Sequence, residues 1–349
     1  MVVGCGHMGG SHARAYHASP HFEIIGLVSR NEASRNALSH QLGGYPTFDD
    51  YEKALQATSP DAVCISTYPD THADFACMAM TAGCHVFLEK PLALNLDDAQ
   101  RVLNFSARTG KKLVVGYILQ QHPSWILFVD EARKLGRPLV MRMNLNQQSC
   151  GSEWQTHKNI MESLSPIVDC GVHYVDVMCR MTQAAPVRVH AIQARLSGEI
   201  RPMAFNYGQL QIVFDDGSIG WYEAGWGPMM STTAFFVKDV IGPNGAVSIS
   251  EVSQKDVQSA DVESHTKTGA VKVHHSALDA QGHFARPDDM LETTSEPDHD
   301  ELCALEQEFF AKAIQGEVDL SEHQTSALNS LRIVLAADES ARTGITVSL

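Results

Sequence analysis

The sequence has few positive charges, and no basic cluster interrupts its acidic balance. Its 349 residues contain 26 Lys and Arg against 41 Asp and Glu, giving a formal net charge of −15. A chain of this charge repels a phosphate backbone, so we expect no nucleic-acid partner. It also lacks a run of about 18 apolar residues, the length that a spanning helix needs, and a cleavable signal before its first motif. These absences predict a cytoplasmic protein that does not bind membranes.

The eight cysteines form no C-x-x-C pair and are scattered through apolar segments. This distribution is typical of reduced thiols that pack as small hydrophobic side chains. We therefore expect no disulfide framework, no zinc site and no other bound metal ion.

The hydrophobic pattern changes near residue 118. Before it, short apolar runs alternate with helical stretches that start on Asp or Asn and close on Gly, as in residues 95–110. This alternation predicts an α/β fold for residues 1–118, a Rossmann doubly wound parallel sheet. After it, longer alternating strands with hairpin signals at Asp216-Gly217 and at residues 243–245 predict an α+β domain. This second domain, residues 119–349, should contain a large and mostly antiparallel sheet.

Two further segments are predicted within that second domain. The polar stretch from about residue 253 to 300 predicts surface strands and loops. The segment DELCALEQEFFAKAIQGE follows it, with apolar side chains at Leu302, Leu305, Phe309 and Phe310. This spacing predicts an amphipathic helix.

A glycine-rich loop follows the first apolar run. The segment VVGCGHMGGSHARAYHASP contains G-x-G-x-x-G at Gly4, Gly6 and Gly9, after a strand that must be short because only three residues precede it. Glycines allow a tight turn and bring a pyrophosphate close to the N–H groups of the following helix. This context predicts a dinucleotide site that includes His7 and Met8. The alternative is a tight glycine turn that binds no ligand.

The second strand ends at Ser29-Arg30, where NAD-binding folds usually place Asp or Glu against the ribose diol. A hydroxyl and a guanidinium suit a 2′-phosphate, and Arg35 lies nearby, so NADP(H) is favoured over NAD(H). An arginine stacked over the adenine would serve NAD equally well. We therefore expect an NAD(P) cofactor.

The apolar run CHVFLE leads directly to Lys90 and Pro91. Lys90 should therefore lie at the carboxyl end of a strand, the edge at which open α/β sheets bind ligands. Pro91 disfavours helical geometry at the residue before it. We interpret Lys90 as a cation aimed at a reacting hydroxyl. The alternative is a surface Glu89–Lys90 pair at a strand end.

The segment SPIVDCGVHYVDVMCRM predicts one helix with a Ser-Pro start. Asp169, His173 and Asp176 recur at i, i+4 and i+7, on one face. Gly171 costs a helix roughly 1 kcal/mol relative to alanine, which suggests a close approach to the backbone there. The alternative is a helix of the core in which the histidine forms its hydrogen bonds within the fold. With Lys90, these residues suit hydride transfer, in which histidine accepts a hydroxyl proton, a carboxylate orients it and a lysine stabilises the alkoxide.

Taken together, the motifs resemble the Gfo/Idh/MocA oxidoreductases, the glucose-fructose oxidoreductase and inositol dehydrogenase group. The resemblance spans nearly the whole chain and rests on GCGHMG, STYPDTHADFA, EKPLA, DCGVHYVDVM and ADESARTG. It implies that Asp169 and His173 form the catalytic pair, and that Glu89 and Lys90 lie beside the ribose and the substrate. The residues that it places on the nicotinamide side of the cofactor are Thr67, Pro69, Asp70 and His72.

The resemblance also implies that the antiparallel sheet carries the substrate pocket and the interface of a homodimer or homotetramer. One stretch, GYILQQHPSW, departs from the family, which has a basic group where Gln120 and Gln121 stand. This departure favours a neutral polyol over a substrate with a carboxylate or phosphate. Besides Asp169 and His173, the predicted substrate residues are Tyr117, Gln121 and Trp154. Trp154 is expected on a loop after the first strand of the second domain. Further pocket candidates are His157, Tyr222 and Trp226. For these aromatic side chains, packing under the sheet is an equal alternative.

The predicted function is that of an NAD(P)-dependent dehydrogenase or reductase. Its substrate would be a secondary hydroxyl or ketone of a sugar, a sugar derivative or a cyclitol. Two alternatives remain open. One is an NAD-dependent glycoside hydrolase that uses transient oxidation, and the other is a non-catalytic sensor of sugars or nucleotides, against which the combination of Lys90, Asp169 and His173 argues.

Overall fold

The computed structural model describes residues 1–232, 237–250, 266, 268–293 and 296–349. They form two compact units, the first comprising Met1–Gln121 with Pro297–Leu328, and the second His122–Glu296 with Asn329–Leu349. The domain boundary expected after residue 118 stays a prediction. In the compact units, residues 297–328 group with the first unit.

Helices account for much of both units. In chain order they are α1 (His7–Ala18), α2 (Glu32–Gln41), α3 (Tyr51–Thr58), α4 (His72–Thr81), α5 (Leu96–Thr109), α6 (Pro123–Arg133), α7 (Gly151–Ile160), α8 (Pro166–Asp169), α9 (Gly171–Thr182), α10 (His299–Gln315) and α11 (Ser321–Thr343). Single 3₁₀ turns cover Pro69–Thr71 and Ile118–Gln120. The division between the units falls inside α11, after Leu328.

Short parallel strands form the sheet of the first unit. They are β1 (Val2–Val3), β2 (Leu27–Val28), β3 (Thr47–Phe48), β4 (Ala62–Ile65), β5 (His85–Glu89) and β6 (Leu113–Gly116). Their order is β3-β2-β1-β4-β5-β6, which confirms the predicted doubly wound sheet. The strand order reverses between β1 and β4, and folds of this kind bind ligands at the carboxyl ends of the strands at such a point.

The second unit contains a nine-stranded sheet. Its strands are β7 (Val140–Gln147), β8 (Pro186–Ala194), β9 (Tyr207–Phe214), β10 (Ile219–Trp226), β11 (Lys238–Gly242), β12 (Gly245–Ser250), β13 (Ala270–His275), β14 (Asp289–Glu292) and β15 (Val347–Ser348). Their order is β14-β13-β12-β11-β7-β10-β9-β8-β15, and β7 and β10 are the parallel pair in an otherwise antiparallel sheet. The predicted mostly antiparallel sheet is confirmed.

Several local signals have the predicted structures. Asn95 caps α5 through its side chain, and Gly110 ends the helix at a φ of +68°. Gly217, at a φ of +83°, lies in the turn between β9 and β10. The predicted strands and loops of residues 253–300 fall partly outside the described residues.

Helix α10 completes the core of the first unit. The Phe310 ring is 1% exposed, and its centroid lies 5.9 Å from that of Phe22 and 6.0 Å from that of Phe87. Leu305, predicted on the apolar face, is instead 37% exposed. Glu306 and Gln307 are buried with Phe310. Two polar side chains therefore occupy the core-facing stripe of this helix.

The eight cysteines occur as thiols, six of them buried. Burial raises the pKa of Cys5 to about 11 and that of Cys64 to about 12. Cys170 is half-buried, and Cys150 is exposed at the residue before α7. Among the residues that the structure describes, no helix combines the length and apolar character needed to cross a bilayer.

Candidate active site

The glycine loop joins β1 to α1 at the carboxyl edge of the first sheet. Gly4 has a φ of +95°, and a Cβ atom there would lie 2.3 Å from the carbonyl oxygen of Ser66. A Cβ atom at Gly9 would lie 1.8 Å from the carbonyl oxygen of Gly4. Both positions therefore require glycine, because the loop, the helix and the end of β4 approach one another too closely for a side chain.

Gly6 leaves room for a ligand. It is the N-cap of α1, and within the described ranges a Cβ atom added to it meets no other atom closer than 4 Å. No described side chain caps the helix, whose first residues are His7 and Met8, and its first turn contains no acidic residue. The positive end of the helix dipole and its N–H groups thus face open space. These features fit the pyrophosphate of a dinucleotide.

Ser29 and Arg30 follow β2, the neighbour of β1. The N–H of Ser29 donates to the carbonyl oxygen of Phe48 at 3.0 Å. Arg35 donates to the carbonyl oxygens of Ser29 and Arg30, at 3.1 and 3.3 Å, while the Arg30 side chain is exposed. This edge therefore presents a hydroxyl and a guanidinium.

The residues after β4 divide into an edge group and a buried histidine. Thr67 and Pro69 are half-buried and Asp70 is exposed, whereas His72 is fully buried. Its Nδ1 lies 2.8 Å from the carbonyl oxygen of Pro91, and its Nε2 lies 3.1 Å from that of Thr67. Burial lowers the pKa of His72. Through these two contacts, His72 connects the loop after β4 with the loop after β5, beneath the carboxyl edge of the sheet.

Lys90 follows β5 and is half-buried. The side chain before it, Glu89, points into the unit. Its Oε1 lies 2.5 Å from Nε2 of His12, and its Oε2 accepts the backbone N–H of Lys90 at 3.2 Å. Burial would raise the pKa of Glu89, but the hydrogen bond from His12 and the charge of Lys90 help to lower it. Glu89 is thus a buried carboxylate whose oxygens are already engaged within the fold.

A buried polar cluster that the sequence analysis missed lies behind Glu89. His12 comes from α1, and Cys303, Glu306 and Gln307 come from α10. Ligand atoms of His12, Cys303 and Glu306 lie within 4.8 Å of one another, as in a metal site. However, both ring nitrogens of His12 already contact Glu89 and Gln307. Burial also raises the pKa values of Cys303 and Glu306, which disfavours their ligating forms. The arrangement suits a hydrogen-bonded cluster better than a metal site.

Replacing Glu306 tests its protonation. Burial, reinforced by the charge of Glu89, raises the pKa of Glu306 well above its ordinary value of 4.5. Between pH 4.5 and its raised pKa, Glu306 retains in the folded protein a proton that it releases in the unfolded chain. Its contribution to the free energy of unfolding therefore falls as pH rises. Glu306→Gln, which mimics the neutral acid, should raise the Tm at pH 8 and change it little near pH 4. Thermal melts at both values measure this, and a lower Tm at pH 8 would show an ionised, paired Glu306.

In the second unit, the predicted single helix is two helices. The Ser165 side chain caps α8, which ends at Asp169, and α9 begins at Gly171. The N–H of His173 donates to the carbonyl oxygen of Cys170 at 3.2 Å, so the first turn of α9 is tight. From residue 166 to 179, only the side chains of Asp169, Cys170 and His173 are more than marginally exposed. The break thus brings an acid and a histidine to an accessible position, whereas Asp176 is fully buried.

Gly171 accommodates an aromatic ring. A Cβ atom there would lie 3.0 Å from Cε1 of Tyr222, which explains the glycine predicted to allow a close approach. Tyr222 is fully buried and stacks on Tyr174, with 5.4 Å between ring centroids. Its hydroxyl finds no hydrogen-bond partner among the described residues. The ring therefore serves the packing of α9 against β10.

The other predicted substrate residues lie mainly in packed surroundings. Trp154 is on helix α7, not on a loop, and its indole lies in a core cluster and donates to Glu199 at 3.3 Å. Tyr117 is buried, with its hydroxyl 3.5 Å from the carbonyl oxygen of Ala327. Gln120 is buried and bonds His323, whereas Gln121 is half-buried. These contacts indicate that Trp154 and Tyr117 pack within the fold, whereas Gln121 is accessible.

His157 and Trp226 form a stacked pair near Asp169. Their rings are 4.6 Å apart and nearly parallel. Burial lowers the pKa of His157 to about 4, although the charge of Asp169 opposes the change. Trp226 donates to the side-chain oxygen of Gln147 at 2.7 Å. A buried aromatic pair therefore lies close to the acid of α8.

Two family models match the chain: "Oxidoreductase family, NAD-binding Rossmann fold" over residues 1–117, and "GFO/IDH/MocA C-terminal domain" over residues 130–237. The inositol 2-dehydrogenase of Salmonella paratyphi B is 26% identical over 51% of this chain and 52% of its own length. The chain thus spans about half the length of the curated relatives that it first matches. The scyllo-inositol 2-dehydrogenase (NAD(+)) of Bacillus subtilis is 24% identical over 100% of this chain and 95% of that protein.

Solved structures show the same fold. A scyllo-inositol dehydrogenase from Lactobacillus casei with bound NAD(H) and scyllo-inositol superposes with a TM-score of 0.78 at 19% identity, covering 99% of this chain and 97% of that one. An oxidoreductase from Agrobacterium radiobacter in complex with NAD+, L-tartaric acid and magnesium gives 0.79 at 16% identity, with the same coverage. Both domain matches, the sheet orders and the glycine loop agree: the chain belongs to the GFO/IDH/MocA oxidoreductase family.

Proposed function

We propose that this protein is an NAD(P)-dependent oxidoreductase that acts on a secondary hydroxyl or ketone of a sugar, a sugar derivative or a cyclitol. One observation carries the proposal. The carboxyl edge of the first unit's sheet combines a helix N-terminus that is uncapped and open at Gly6 with a cationic side chain, Lys90, at the end of β5. The first feature suits the phosphates of a dinucleotide, and the second suits a hydroxyl that loses its proton.

The substrate class follows from the relatives and from the side chains present. The relatives are named for inositol, scyllo-inositol, a D-glucoside and, in the 3-dehydrogenase of Acidithiobacillus ferrooxidans, UDP-N-acetylglucosamine. In this chain, Gln120 and Gln121 stand where the resemblance leads one to expect a basic group, and Gln121 is half-buried. Neutral side chains favour a neutral polyol, because a carboxylate or phosphate would require a charged partner.

The proposed roles divide the proton chemistry among three residues. Nicotinamide, when bound, takes up or returns the hydride. His173 accepts the hydroxyl proton in the oxidative direction, because the ordinary pKa of histidine lies near neutrality. Asp169 orients the histidine ring, and Lys90 stabilises the negative charge that develops on the substrate oxygen. In the reductive direction, His173 returns the proton.

For the cofactor, we propose Gly4, Gly6, His7, Met8 and Gly9 at the phosphates. Thr67, Pro69 and Asp70, which lie at the adjoining strand end, are proposed for the nicotinamide side. At the adenosine end, Ser29 and Arg30 provide a hydroxyl and an exposed guanidinium where an acidic residue would select NAD. This pair supports a preference for NADP(H), although the relatives that name a cofactor name NAD.

We also propose that the protein forms a homodimer or homotetramer through one face of its nine-stranded sheet. The strand register aligns Ile241, Val140, Ile219 and Val213 in one row across β11, β7, β10 and β9. Ile241 and Ile219 are exposed and the two valines are half-buried. An apolar row of this kind suits an interface between copies of the chain. Light scattering of the purified protein measures the assembly mass.

A spectrophotometric panel tests the proposed activity. The protein is incubated with NAD+ or NADP+ and with myo-inositol, scyllo-inositol, D-glucose, methyl glucoside or nitrophenyl glucoside. We expect absorbance at 340 nm to rise with at least one of these polyols, and to rise faster with NADP+. Release of nitrophenol at 400 nm without net reduction of the cofactor would instead establish a glycoside hydrolase. No change with any compound, including the reverse reaction with a keto-inositol and NADPH, would refute the proposal.

A further inference from the structure

We propose that His12 is a positioning residue for Lys90 that acts through Glu89. The inference rests on the proposed function, because it assumes that Lys90 acts on the reacting hydroxyl. His12 lies on α1, the helix whose N-terminus we propose for the phosphates, and Lys90 follows β5. His12 would therefore connect the cofactor loop with the lysine by side-chain contacts inside the first unit.

The contacts form one continuous chain. The amide nitrogen of Gln307 lies 2.9 Å from Nδ1 of His12. Because an amide nitrogen only donates, Nδ1 accepts, and the ring proton lies on Nε2. Nε2 then donates to Oε1 of Glu89 at 2.5 Å, and Oε2 of Glu89 accepts the backbone N–H of Lys90 at 3.2 Å. Gln307 thus fixes the tautomer, His12 fixes the carboxylate, and the carboxylate fixes the backbone of the lysine.

The chain is rigid because its members are buried. His12 is fully buried and packs edge-on against Phe87, with 4.8 Å between ring centroids. Gln307 and Glu89 are also buried. Gly116, the partner of Glu89 in β6, leaves the space that this carboxylate fills, since a Cβ atom there would lie 3.3 Å from Oε1. The carboxylate therefore has a defined place beside the strand end.

The charge of Glu89 depends on its donors. A buried carboxylate is costly unless hydrogen bonds and nearby cations compensate it. Glu306 is a second buried carboxyl, and burial and the charge of Glu89 raise its pKa. The titratable groups that act on Glu89 or respond to it, from every element packed around it, are His12, Cys64, His72, Lys90, His299, Cys303 and Glu306.

Removal of His12 should therefore affect Lys90 at a distance. Without the Nε2 donor, burial dominates and raises the pKa of Glu89. The carboxyl then protonates at a higher pH than in the wild-type protein. Lys90 loses a compensating charge, and its backbone N–H loses a fixed acceptor. The cofactor loop itself keeps Gly4, Gly6 and Gly9. Turnover should fall, while affinity for the cofactor should remain nearly constant.

The matched variants are His12→Leu and His12→Gln, the second of which places an amide donor near the position of Nε2. They are assayed at 340 nm with the panel compound that the wild-type protein oxidises fastest. We expect His12→Leu to lower kcat about 10- to 100-fold, the loss expected for one charge-assisted hydrogen bond. The Kd for NADPH, from fluorescence titration, should change less than about threefold. His12→Gln should recover most of the kcat.

The pH profile provides a readout that a structural role would not change. In His12→Leu the acid limb of kcat should move to higher pH, because Glu89 protonates earlier, while His12→Gln should follow the wild-type profile. Equal losses in both variants, or an unshifted acid limb, would overturn the inference. If His12→Leu does not fold, Gln307→Leu replaces it. The acid limb of kcat should then move in the same direction by a smaller amount.

Lys90→Met separates this inference from the proposed function. If Lys90→Met retains full turnover, the proposed role of Lys90 fails, and the inference fails with it. If Lys90→Met loses turnover and His12→Leu does not, only the inference fails. In the double variant, the loss caused by His12→Leu should disappear, since its effect passes through Lys90. Additive losses in the double variant would show that His12 acts by another route.

Discussion

Lys90→Met should lower kcat about 100- to 1,000-fold, the loss usually seen when one group that stabilises a developing oxyanion is removed. Methionine keeps the length of the side chain and removes its charge. The glycine loop and the N-terminus of α1 are unchanged, so the Kd for NADPH should stay within about threefold of the wild-type value. Steady-state assays at 340 nm and fluorescence titrations with NADPH measure the two quantities.

The matched control is Lys53→Met, which removes an exposed lysine on α3. Its turnover should equal that of the wild-type protein, because a solvated surface charge contributes little. Lys90→Arg should recover only part of the activity, since the guanidinium keeps the charge but not the compact geometry of an ammonium. Wild-type turnover in Lys90→Met would remove Lys90 from the proposed reaction.

Phe310→Ala should destabilise the protein by about 3–5 kcal/mol, the usual cost of truncating a buried phenylalanine. The ring is 1% exposed and packs with Phe22 and Phe87 in a cluster that includes Val2 and Leu27. This loss is a large part of the stability of an ordinary domain. It should also weaken cofactor binding, because the same core supports β1 and α1. Urea unfolding, followed by circular dichroism, measures the change.

Leu305→Ala on the same helix is the control. Leu305 is 37% exposed, so its truncation should cost about 0.5 kcal/mol or less. If the two variants lose equal stability, α10 does not depend on Phe310 for its place in the first unit. If Phe310→Ala leaves NADPH binding unchanged while lowering stability, the core and the cofactor loop are uncoupled.

Features that depend on neighbouring residues could be read from the sequence. Gly4 and Gly9 were predicted because a tight strand-to-helix turn requires glycine, and the clashes at Ser66 and Gly4 give the physical reason. The Asn95 cap and the Gly110 stop of α5 are likewise local. The strand alternation sufficed for both sheets, although β3 (Thr47–Phe48) has a single apolar residue and therefore no apolar run that would indicate a strand.

Features that depend on distant residues could not be read in this way. His12 and Glu89 are 77 positions apart, and His12 and Gln307 are 295 apart, so no spacing rule connects them. The place of α10 in the first unit depends equally on tertiary packing. One signal was nevertheless present. Glu306 lies four residues after Leu302 and four before Phe310, and an acid in an apolar stripe indicates a buried polar partner.

The break at Cys170 is a local structure that the sequence pattern did not predict. Asp169 and His173 were selected because a continuous helix would place them on one face. The structure instead ends α8 at Asp169 and starts α9 at Gly171, since the glycine and the ring of Tyr222 meet there. Both side chains still reach an accessible position. Their proposed roles stay a prediction, and they do not require a continuous helix.

The distribution of the thiols makes the protein suitable for site-specific labelling. Maleimides react with exposed thiolates, and burial protects six of the eight cysteines, while the Cys170 sulfur contacts Gln147 and Asp169. Cys150 is exposed immediately before α7, the helix that carries Trp154 and His157. A fluorophore attached to the native chain would therefore report on that helix without any engineered cysteine, and titration with polyols would show directly whether α7 responds to them.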